Sequence, residues 1–91
     1  MDIEEIKKYL RIDYDGEDEE LEAFTTAAEE YLNNAGIKAD YESELYKLAV
    51  KLLVSNWYSN RIPIGTVTQA MEYSLRRIII QLQLGEDDGD D

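Results

Sequence analysis

The chain has 91 residues, 21 of them acidic and nine basic, for a formal charge of −12, and it contains neither cysteine nor histidine. That length allows one domain with a thin core, and the 44% apolar content excludes a wholly disordered chain. The missing residue types exclude disulfides, thiolate nucleophiles, Cys/His zinc sites and histidine-based triads, and the sparse, unclustered cations exclude tight DNA binding, which depends on neutralising phosphates.

Ile3, Ile6 and Leu10 recur at helical spacing and predict a first helix over about 3–10, with Asp2 as its cap and Glu5 completing a capping-box-like start. The opening residues Met1 to Glu5 are acidic and lack an apolar stretch, which argues against a secretion signal and predicts a protein that is cytosolic where it is made. Arg11 to Asp15 reads as a turn. A second helix is predicted over about 17–35, with Asp15 as a possible cap and four acids crowding the first turn, where the helix dipole favours them. Leu21, Phe24, Ala28, Tyr31, Leu32 and Ala35 form its apolar stripe, and Asn33, Asn34 and Gly36 supply the stop, with Gly36 as the left-handed cap. The acids from Asp13 to Asp18 invite a calcium reading. An EF-hand loop starting at Asp13 would need glycine where Asp18 stands and glutamate where Phe24 stands, so the motif fails. Capping explains the same acids, and no metal or cofactor is expected.

Asp40 is expected to open a third helix over about 41–59, apolar at Leu45, Leu48, Ala49, Leu52, Leu53 and Trp57, flanked by Tyr46, Val50 and Val54. Only Lys47, Lys51 and Ser55 keep a polar stripe, so this helix is central in its domain or covered by a neighbour. The expected core is Leu21, Phe24, Leu48, Leu52 and Trp57. After a loop carrying the only proline, Pro63, Thr66-Val67-Thr68-Gln69 fits a capping box for a fourth helix over about 67–84. Met71, Leu75, Ile78, Ile79 and Leu82 face one way, with Tyr73, Ile80 and Leu84 to the side as a second apolar flank. That flank either meets another chain or packs under the first helix of its own subunit.

Arg61, Arg76 and Arg77 are candidates to pair with a neighbouring subunit's carboxylates, and the expected interface is Arg61, Tyr73, Arg77, Ile80 and Leu84. Their plainer roles are a favourable cation at a helix C-terminus and a surface salt bridge. Residues 85–91 carry like charge and are expected to be a disordered tail after a single helical domain over 1–84. No apolar run approaches the roughly 18–20 residues that span a bilayer. The fold class is all-α, a small four-helix bundle with short loops.

Two blocks of residues add a resemblance. Ile6-Lys7-Lys8-Tyr9-Leu10-Arg11-Ile12-Asp13, followed by Glu17-Asp18, Leu21, Ala27-Ala28 and Tyr31-Leu32, is similar to the N-terminal signature of phage head–tail connector (adaptor) proteins, often described as DNA-packaging proteins. Leu48-Ala49-Val50 through Leu53-Val54 to Trp57-Tyr58-Ser59-Asn60-Arg61 resembles that family's central helix and its Trp-Tyr-x-Asn-Arg ending. After Pro63 the sequence is less typical of the family. The resemblance implies a virion subunit that forms a ring of about a dozen copies at the head–tail junction. Such a ring docks under the portal, extends the DNA channel and offers a platform to stopper or tail-completion proteins, while duplex DNA passes without being read. The alternative, motivated by the charge alone, is an acidic regulatory or DNA-mimic protein that occupies a host enzyme's DNA site. An enzyme is the weakest reading, because neither a nucleophile–base pair nor a metal constellation can be assembled.

Overall fold

The sequence folds into four helices in the computed structural model, which describes residues 1–60, 62, 63 and 66–87. Helix α1 (Ile3–Leu10) begins at Asp2, whose carboxylate accepts the Glu4 amide at 3.1 Å. Glu5 does not close the expected capping box. Its side chain turns toward the third helix, 3.7 Å from the Lys47 ammonium. The helix ends where Arg11 enters the left-handed region (φ 62°), which lets the Arg11 and Ile12 amides return to the Lys8 and Lys7 carbonyls.

Helix α2 (Asp18–Asn34) has no side-chain cap, and Asp15, the expected one, is drawn to Lys7 instead. Its first turn relies on Asp18, Glu19 and Glu20 against the helix dipole. Its end follows the expected logic. Gly36 takes φ 87°, its amide bonds to the Asn33 carbonyl, and the Ile37 amide bonds to the Leu32 carbonyl, both at 3.0 Å. This is a Schellman closure, sealed by burial of Ile37 and Leu32.

Helix α3 (Glu44–Ser59) starts three residues later than expected. Asp40 spends its carboxylate on the Glu42 amide and shapes a turn, so Ser43, accepting the Tyr46 amide at 3.1 Å, is the cap. Helix α4 (Gln69–Asp87) is capped by Thr68 rather than Thr66, through the Met71 amide at 3.2 Å. It continues three residues past Leu84 into the stretch expected to be disordered. Propagating a formed helix costs little, and the Gln83 amide group holds this end by donating to the Ala35 carbonyl at 2.9 Å. Residues 88–91 of the expected tail lie outside the described residues.

Helix α3 is the centre, packing against α1, α2 and α4, whereas α4 packs against α3 alone among the helices. The buried face of α3 is Tyr46, Ala49, Val50, Leu53, Val54 and Trp57, at positions i, i+3, i+4, i+7, i+8 and i+11. Leu21 and Trp57, two of the expected core residues, are fully buried, and Phe24 and Leu52 pack half-buried against the core. Leu48 is half-buried on the flank of α3 and is not among the core residues. A helix that is apolar around most of its circumference does not reveal its phase, so the centre of its face was misplaced by sequence. Even the polar stripe is covered: Lys47 and Lys51 are half-buried, with Lys47 reaching Glu5 and Glu44 and Lys51 sitting 5.8 Å from the Tyr9 ring centroid.

Candidate subunit interface

Three polar nodes fix the elements that carry the surface. Lys7 occupies the apolar stripe of α1, at i+4 from Ile3, and is almost fully buried. Its ammonium bonds to Asp15 at 2.7 Å and ion-pairs with Asp18 at 3.0 Å, tying α1 to the start of α2. Those two carboxylates raise the lysine pKa, and Lys7 in turn lowers that of Asp15. The second node is Glu29, which accepts from the Met1 amino group at 2.8 Å and from the Tyr46 and Tyr41 hydroxyls, both at 2.7 Å. Burial pushes its carboxyl up, but the three donors outweigh that and hold it below the usual glutamate range. Burial, and then the same carboxylate, raises the Tyr46 phenol.

The third node explains the Trp-Tyr-x-Asn-Arg ending. Trp57 is 1% exposed, and its indole N–H donates to the Thr66 carbonyl at 2.7 Å. The bond fastens the loop just before the Thr68 cap, so it sets where α4 departs. Tyr58 donates to Glu17 at the start of α2, which raises the phenol's pKa, and its ring meets Phe24 edge-on at 6.4 Å. The Asn60 amide group donates to the Asn56 side chain at 3.1 Å across the last turn of α3. Arg61, the motif's last residue and one of the expected interface residues, lies outside the described residues.

The other four expected interface residues fall on one helix. Tyr73, Arg77, Ile80 and Leu84 follow one another at 3–4 spacing on α4, and all are exposed. Tyr73 is 80%, Ile80 46% and Leu84 61% exposed. The inner face of α4 is Met71 and Leu75, fully buried, with Ile78, Ile79 and Leu82 half-buried. At 3.6 residues per turn the exposed residues lie on the opposite side of the helix, not beside the inner face as expected. The alternative that this flank packs under α1 fails, because Tyr73, Ile80 and Leu84 are exposed. Helix α4 thus carries two apolar faces, only one used within the subunit.

Sequence reasoning missed Lys7, Glu29 and Glu17 as organising groups. Only Lys7 carried a signal, a lysine at a stripe position. Among the described residues no group of three or more acids is placed to hold a metal, and no helix is long and apolar enough to cross a membrane.

Among the described residues the central helix ends in a buried tryptophan that anchors a loop, α1 is clamped to α2, and the last helix lies on the central one. The model of the family described as Phage gp6-like head-tail connector protein matches residues 1–82. The chain belongs to this family of phage head–tail connectors. The match runs past Pro63, where residue-level resemblance fades, and takes in α4 as far as Leu82. No curated protein and no solved structure matches the chain. Membership gives this connector a structural role in a phage particle.

Proposed function

We propose that this connector acts as a ring subunit at the head–tail junction, docking under the portal, extending the DNA channel and presenting a platform to stopper or tail-completion proteins. It would assemble in the host cytoplasm and work without catalysis. Family membership supports a structural connector role, and the outward stripe Tyr73, Arg77, Ile80 and Leu84 on α4 is the observation that supports assembly through another chain. Burying a Leu or Ile side chain is worth roughly 1.5–3 kcal/mol, so leaving such residues exposed on a small domain forgoes stability that an interface recovers. The charge of −12 fits passage of DNA, since cationic contacts supply non-specific affinity and a wall poor in them lets the duplex slide.

The test is removal of the gene from the phage or prophage that encodes it. Filled heads and complete tails that stay separate, and join when the protein is supplied, are expected. Normal tailed particles without the protein would refute the reading. Competition with duplex DNA for a basic host enzyme, with no effect on particle assembly, would favour the acidic-mimic alternative.

A further inference from the structure

The stripe on α4 needs a counter-surface, and the same chain carries one. Beside the first turns of α2 an open groove is walled by Phe24 and Tyr58 and by Ile62 and Pro63 of the loop after α3, with Glu17 and Glu20 at its edge. Phe24, Tyr58 and Ile62 are half-buried and Glu20 is exposed. An apolar aromatic trough with carboxylates on its rim suits a helix that carries apolar side chains around an arginine, because guanidinium pairs with carboxylate and also stacks on aromatic faces. Arg77 lies between Tyr73 and Ile80 on the stripe, and Arg76 flanks it.

We infer that the α4 stripe of one subunit seats in this groove of the next copy, with Arg77 directed to Glu20. The inference rests on the ring reading above and names the surface that the stripe meets. Within one subunit the contact cannot form, since the stripe points away from the α3 surface on which α4 lies. Two α4 stripes facing each other would be apolar enough, but an antiparallel pair related by a twofold axis near the stripe's middle sets Arg77 close to its own mate. Like charges across an interface are costly. Stripe and groove have opposite charge and differ from each other, so the contact is head-to-tail and repeats until it closes into a ring or extends as a filament. Local pairing also answers a general difficulty, that copies each carrying −12 repel one another.

The experiment is self-association of the full chain by sedimentation velocity and native mass spectrometry, up to the highest concentration that stays in solution. Wild type is expected to associate. Arg77→Glu and Glu20→Arg are each expected to weaken association by roughly tenfold or more, and the chain carrying both is expected to regain it, because the swapped charges meet across the junction. All the altered positions are exposed, and unchanged far-UV circular dichroism would show that each variant is folded. A monomeric wild type overturns the inference. So does stronger association of Arg77→Ala, which removes the like-charge contact that a twofold α4 pair would contain, or a double variant no better than the singles. Since particle assembly reads the connector role separately, failure here with tail-joining still lost on gene removal would sink the docking mode and leave the role standing.

Discussion

Replacing Trp57 with phenylalanine tests the link between the central helix and the placement of α4. The indole is fully buried, and its N–H is the donor to the Thr66 carbonyl at 2.7 Å. The smaller ring leaves space at the end of α3 and removes that donor. Partial loss of a large buried side chain and loss of one hydrogen bond at a half-buried site together cost about 2–4 kcal/mol. For a domain of this size that lowers the melting temperature by roughly 10–20 °C. Far-UV circular dichroism is the right probe of urea or heat unfolding, because Trp57 is the only tryptophan and the variant loses its fluorescence signal. Hydrogen exchange should also speed up selectively at the Thr68 cap and first turn of α4, while α2 keeps its protection. A variant within about 0.5 kcal/mol of wild type, a change typical of surface sites, would refute the claim that this indole holds the α3–α4 junction.

Two backbone predictions have opposite signs. Gly36→Ala puts a side chain at φ 87° with open space around its Cβ, so strain alone should cost about 1 kcal/mol in chemical denaturation. Arg11→Gly relieves a non-glycine residue at φ 62° and should stabilise by about 0.5 kcal/mol, after the added freedom of the unfolded chain is offset. Glu29→Gln should cost about 1–2 kcal/mol near neutral pH, moderated by the solvent that reaches this carboxylate. The folded-state pKa of Glu29 is lowered, so its contribution is whole above the unfolded glutamate pKa and disappears as pH falls through the folded value. Urea midpoints for wild type and Glu29→Gln should therefore converge in acid, and a difference that persists below the folded pKa would contradict this account. Lys7→Ala should expose amides of α1 to exchange, because Asp15 and Asp18 lose the cation they share; unchanged α1 protection would show that the clamp is dispensable.

The number and order of helices are legible in the residues alone, because each helix carries a 3–4 apolar rhythm bounded by turn chemistry that is local in the chain. Gly36 is the clearest case: a stop placed by residue type alone and found at φ 87°. Caps were less legible, since Asp15 and Glu5 are good capping residues that found cations instead, Lys7 and Lys47, on other segments. The phase of α3 was open for a different reason. With leucines, valines and a tryptophan on nearly every side, only packing against three neighbours chose Tyr46, Val50 and Val54 for the interior and left Leu48 on the flank. The residues suspected of meeting another chain were legible as types on α4, yet whether they were interior or exterior was not. That was decided when α4 spent one face on α3 and came to lie clear of α1, because a helix in contact with one neighbour can bury only one side.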